Sequence, residues 1–113
     1  MDIELGASDA AVLTELARSH GRTVLVSEHD FEKTPDTPAL ASIVERATAQ
    51  GGEIVKVVTT AQTEDDAWRL LHFARSCPTP IVAFAMGEAG TFSRLKACEY
   101  GSLFTYGYIT KAV

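Results

Sequence analysis

Short apolar, β-branched runs alternate with helix-length amphipathic segments along this chain, and that alternation limits its fold more than any other feature. Strands separated by helices lie parallel, because each crossover returns the chain to the same end of the sheet. The pattern predicts strands at 3–5, 23–27, 53–58, 81–86 and 103–108, about five in all. Between them fall helices opening at Ser8-Asp9, near Ala39, after Thr63 and near Thr91. Gly21 and Gly51-Gly52 stand where helices stop, and Pro78 and Pro80 break the chain before the fourth strand. Ala11, Val12, Leu16 and Ala17 keep helical spacing in the first helix; Ala67, Leu71 and Ala74 form an inner stripe in the third.

An α/β chain of this kind builds either an open doubly wound sheet or part of a (β/α)₈ barrel. No GxGxxG motif and no Walker lysine supports a nucleotide-binding open sheet. His29 and the Met86-Gly87-Glu88 segment fall at or just beyond the C-terminal ends of strands, where barrel sites are built, so the barrel is preferred. No internal repeat or low-complexity linker divides the 113 residues, and 1–113 reads as a single domain.

A net charge of −5 argues against a nucleic-acid partner, and no apolar stretch approaches the ~20 residues of a membrane span. Met1-Asp2-Ile3-Glu4 has neither the basic start nor the apolar run of a signal peptide. Cys77 and Cys98 lack metal-ligand spacing. The expectation is a cytoplasmic protein with reduced thiols and no metal.

Lys56 is the residue with chemical content. It lies within Glu53-Ile54-Val55-Lys56-Val57-Val58, on the strand face it shares with Ile54 and Val58. Burial pushes an amine towards its neutral, nucleophilic form, which Schiff-base chemistry with a carbonyl substrate requires. A strand-end lysine that snorkels its charge to water is the competing reading. His29 alone fits a loop histidine bonded to Asp30 or Glu28, and Arg94 alone fits a solvated charge.

Taken in order, Ser27-Glu28-His29-Asp30-Phe31, Ile54-Val55-Lys56, Phe84-Ala85-Met86-Gly87, Ser93-Arg94-Leu95 and Phe104-Thr105-Tyr106-Gly107 resemble type I 3-dehydroquinate dehydratase. The family pattern is an S-x-H-D-F loop, a lysine in an apolar strand, an M-S-M-G strand end, a G-x-x-S-R turn and a T-F-G strand. Asp2-Ile3-Glu4, Thr34-Pro35 and Gln62 extend the likeness over nearly the whole chain. Phe84 replaces the first methionine of M-S-M, and Tyr106 stands where phenylalanine is common.

The resemblance implies conversion of 3-dehydroquinate to 3-dehydroshikimate in the shikimate pathway, with no cofactor. It assigns Lys56 as the Schiff-base lysine and His29 as the general acid/base. Arg94 becomes the binder of the substrate carboxylate, and Phe84, Met86 and Tyr106 become the pocket wall. Nothing matches the family's E-x-R strand, its R-x-x-x-E-G-G strand or its S-A-P-G-Q loop, so the match is to strands four to eight of the barrel. A barrel of eight strands typically takes about 250 residues. The expectation is a partial barrel with little or no activity by itself, dimeric through its open strand edges. A class I aldolase would share the strand lysine without the S-x-H-D-F and S-R motifs. A non-catalytic partial barrel that associates with other strands is the second alternative.

Overall fold

A computed structural model describes residues 1–103 of the chain. Four strands alternate with four helices: β1 (Asp2–Glu4), α1 (Ala10–Ser19), β2 (Leu25–His29), α2 (Thr37–Ala49), β3 (Ile54–Thr60), α3 (Glu64–Ser76), β4 (Ile81–Met86) and α4 (Thr91–Lys96). The strands are parallel, in the order β1-β2-β3-β4. This unbroken order has no switch point, and residues of α1, α2 and α3 all pack against one face of the sheet. That is a barrel wall and not a doubly wound sheet. The fifth expected strand lies outside the described residues apart from Leu103, whose N–H donates to the Ile81 carbonyl at 2.8 Å, beside a parallel bridge between Ile81 and Ser102. Tyr106 also lies outside them.

Period-2 alternation divides the strands between two environments. Ile3, Val26, Val55, Val57, Ile81, Ala83 and Ala85 face the helices and join Leu40, Ile43, Ala47, Ala67, Leu70 and Ala74 in the main core. A smaller cluster joins Val58, Val82 and Phe84 of the opposite, inner face with Ala97, and Ile54 and Met86 pack against it. Among the described residues, no helix is long and apolar enough to cross a membrane.

Two local readings change in three dimensions. α1 buries Ala10, Thr14 and Ala17, while Val12 and Leu16, which keep the same helical spacing, are 70% and 47% exposed. Only a narrow stripe of α1 meets the sheet, because β1 beneath it has just three residues. Asp9 sits at the N-cap of α1 without a capping hydrogen bond from its side chain. β2 is displaced two residues downstream of its expected position, since its pairing with both β1 and β3 carries it to His29.

Thr63 does cap α3. Its hydroxyl accepts the Asp66 N–H at 3.3 Å and the Asp66 carboxylate accepts the Thr63 N–H at 3.3 Å, a reciprocal capping box. Thr63→Ala is expected to cost about 1 kcal/mol, read as an earlier urea midpoint at unchanged slope. The Gln62 N–H above all, helped by the Thr63 N–H and the Arg69 guanidinium, holds the Asp66 carboxyl below the usual carboxylate range against the opposing effect of burial. A lowered folded-state value contributes stability above the unfolded pKa of about 3.9, and that stability is lost as pH falls through the folded value. Asp66→Asn should therefore flatten the acid limb of the stability curve below about pH 4 and leave its shape near neutrality unchanged.

Candidate active site

Strand register brings the polar residues of the inner face together. Glu4, Ser27, Lys56 and Val82 are level across β1 to β4, and His29, Val58 and Phe84 form the next row towards the C-terminal ends. Lys56 is 9% exposed, with Ile54 and Val58 beside it along β3. It is held in the sheet interior and does not snorkel at a strand end. Its Nζ lies 3.7 Å from Asp2 Oδ2.

His29, the last residue of β2, has a half-buried side chain whose Nδ1 lies 3.0 Å from Glu4 Oε1. An ionised carboxylate only accepts, so Nδ1 carries the hydrogen and Nε2 is the ring nitrogen free of it. The partner of His29 is thus neither Asp30 nor Glu28, as a local loop reading has it, but a residue 25 positions away. Phe31, 73% exposed, stacks on the imidazole at 5.9 Å and 10°.

The loop after His29 is pinned to the end of β3. Asp30 donates its N–H to the Val58 carbonyl at 2.8 Å, and its carboxylate accepts the N–H groups of Glu32 and Lys33 at 2.9 and 3.0 Å. Such an Asx turn suits an aspartate immediately after a strand. Thr60 Oγ1 donates to the Asp30 carbonyl at 2.9 Å. Buried Thr34 meets Thr59 hydroxyl to hydroxyl at 2.8 Å, and Arg69 Nη2 donates to the Thr34 carbonyl at 2.7 Å. Gln62 Nε2 donates to the Glu32 carbonyl at 3.1 Å. Asp30, Thr34 and Gln62 therefore act in this structure by holding the loop that follows His29.

The turn after β4 aims Arg94 at the same face. Gly87 has φ +91°, a conformation that L side chains rarely adopt. A Cβ on Gly90 would lie 2.7 Å from the Ala85 carbonyl oxygen, so only glycine lets this turn approach β4. The buried Ser93 hydroxyl accepts the Ala85 N–H at 2.8 Å and donates to the Gly90 carbonyl at 2.6 Å, fastening α4 to the end of β4. The next residue, Arg94, then places its guanidinium carbon 5.5 Å from the centroid of the Phe84 ring. Phe84 is buried and Met86 half-buried on this face.

Sequence reasoning left Asp2, Glu4 and Ser27 without chemical roles. Ser27 Oγ lies 2.6 Å from Asp2 Oδ1 and 3.1 Å from Glu4 Oε1, joining the carboxylates that touch Lys56 and His29. The signal was present: Asp2 and Glu4, like Ser27 and His29, are polar residues two apart in strands.

A lysine and a histidine stand on neighbouring parallel strands of a barrel wall, with an arginine over an aromatic ring at its C-terminal end. Across residues 1–113 the chain matches the family model for type I 3-dehydroquinase, and it belongs to that family. It is 36% identical over 118 residues to a 3-dehydroquinate dehydratase of Methanosarcina barkeri, covering 100% of this chain and 49% of that protein. A 3-dehydroquinate dehydratase of Haloarcula marismortui is 37% identical over 121 residues, covering 99% of this chain and 52% of the relative. The chain thus spans about half the length of the curated relatives it matches. The crystal structure of a type I 3-dehydroquinate dehydratase from Clostridium difficile, carrying covalently modified comenic acid, superposes with a TM-score of 0.85 at 29% identity. That match covers 94% of this chain and 44% of the other. The 3-dehydroquinate dehydratase structure from Aquifex aeolicus gives 0.85 at 30% identity, over 93% of this chain and 49% of that one. These likenesses establish the barrel-wall reading of the fold.

Proposed function

We propose that this chain carries the Schiff-base machinery of a 3-dehydroquinate dehydratase, a hydro-lyase that forms 3-dehydroshikimate. The observation that supports it most is the placing of Lys56 and His29 on one face of adjacent strands, each against a carboxylate of β1. The reaction is elimination of water next to a carbonyl, and both residues have work in it.

The Lys56 amine adds to the C3 ketone and water leaves, giving an iminium whose positive nitrogen withdraws electrons from the neighbouring carbon. Loss of a proton there yields an enamine, which expels the β-hydroxyl as water when an acid protonates it. Hydrolysis then releases product and regenerates the amine. His29 Nε2 takes and returns these protons, and the Glu4 carboxylate at Nδ1 keeps the ring in the required tautomer. Arg94 pairs with the substrate carboxylate through its planar fork. Phe84 and Met86 line the wall, and Tyr106 joins them on the strength of the family motif alone. The substrate is a small molecule and the chemistry needs no cofactor. We place the protein in the cytoplasm, with Cys77 and Cys98 as free thiols.

Appearance of the conjugated enone of the product, followed by ultraviolet absorbance after mixing 3-dehydroquinate with this sequence carried in a complete eight-stranded barrel, tests the reaction. Absence of both enone and lysine adduct overturns it. Arg94→Lys keeps the charge but loses the paired donors, so substrate affinity should fall by about tenfold, the weight of one charge-assisted hydrogen bond. Unchanged affinity would remove Arg94 from carboxylate binding.

The domain corresponds to strands four to eight of the family barrel, and we propose that it self-associates as a dimer. Exposed Val12 and Leu16 on α1 and the outer edge of β1 support that reading. Sedimentation that stays monomeric across concentrations would refute it.

A further inference from the structure

We propose that Ser27 is a positioning residue that couples Lys56 to His29, its hydroxyl hydrogen being shared between Asp2 and Glu4. This deepens the dehydratase reading and rests on it for its catalytic meaning. Ser27 is 1% exposed, and its Oγ meets two carboxylates: Asp2 Oδ1 at 2.6 Å and Glu4 Oε1 at 3.1 Å. A hydroxyl has one hydrogen and an ionised carboxylate has none to give, so the two acids compete for a single donor. The far oxygen of Asp2 lies 3.7 Å from Lys56 Nζ, and the same Glu4 oxygen accepts from His29 Nδ1 at 3.0 Å. A continuous line of polar contacts therefore runs from the amine to the imidazole across β3, β1 and β2.

The hydroxyl rotor is the two-state element. With Lys56 charged, Asp2 is partly neutralised and is the weaker acceptor, so the hydrogen turns towards Glu4. When the amine gives up its charge, Asp2 draws the hydrogen back. Glu4 then faces His29 with its full negative charge and stabilises the imidazolium. The relay thus raises the proton affinity of His29 at the moment Lys56 becomes a nucleophile. The titratable and charged groups on this face, among the described residues, are Asp2 and Glu4 of β1, His29 of β2 and Lys56 of β3, with Arg94 over Phe84 and Asp30 at the end of β2. Of these, Asp30 is occupied by loop amides.

The test is a double-mutant cycle read by NMR titration of the His29 ring in the full chain without substrate. Lys56→Met should raise the His29 midpoint. In a Ser27→Ala background the same change should have roughly half the effect or less, because only the through-space part of the coupling is left. An equal shift with and without Ser27 overturns the proposal. Ser27→Cys, nearly isosteric and a weak donor, carries the same comparison if the alanine variant fails to fold, and an undiminished shift there overturns it equally. Borohydride trapping on the unmutated sequence in a complete barrel separates the two readings: no adduct refutes the dehydratase function, whereas the titration cycle alone decides the coupling.

Discussion

Sodium borohydride added with 3-dehydroquinate to this sequence carried in a complete eight-stranded barrel is expected to fix one adduct on Lys56, and none on Lys56→Met. The expectation follows from position. Lys56 is nearly buried on the inner face between Ile54 and Val58, so a carbonyl seated there meets an amine shielded from bulk water. The adduct's mass also reports how far the reaction went. Reduction of the substrate iminium retains the hydroxyl that dehydration removes, and reduction after elimination gives an adduct lighter by one water. Both masses on Lys56 would establish imine formation and dehydration in one experiment. An adduct on Lys33, Lys96 or Lys111, or none, would end the Schiff-base assignment of Lys56.

His29→Ala is expected to slow turnover about 10²–10⁴-fold, the usual contribution of a positioned acid/base. Its trapped adducts should shift towards the heavier mass, because the iminium forms but the elimination stalls. Glu4→Gln should share part of this defect, since the amide removes the charge that stabilises the protonated ring. Loss of less than about threefold in His29→Ala would leave the residue with a structural role only, well under the range for acid/base catalysis.

Much of this protein follows from one-dimensional patterns. Alternation of strand and helix required a parallel sheet, and period-2 spacing put Lys56 on the face of Ile54 and Val58, where it lies. β4 runs over the residues the sequence predicts, bounded by Pro80 before it and Gly87 after it. Thr63 caps α3 because a capping box is a local arrangement, complete within four residues. The order and spacing of S-x-H-D-F, the strand lysine and S-R were enough to identify the family, which the comparisons confirm.

The tertiary structure decided what depends on register and on neighbouring layers. Val12 and Leu16 satisfy the same helical period as Ala17, yet only contact with the sheet selects Ala10, Thr14 and Ala17 as the buried stripe. Pairing with both neighbours, and not propensity, carried β2 on to His29. The Gly90 and Ser93 of the turn motif are legible as letters, but their purpose is to let α4 close onto β4 so that Arg94 reaches Phe84. The group of Asp2, Glu4, Ser27, His29 and Lys56 is the clearest case. Alternation states which face each residue takes, but parallel pairing alone sets Glu4, Ser27 and Lys56 level. Sequence separation carries no information about that register, because it is set by how α1 and α2 pack as they return the chain to the start of each strand.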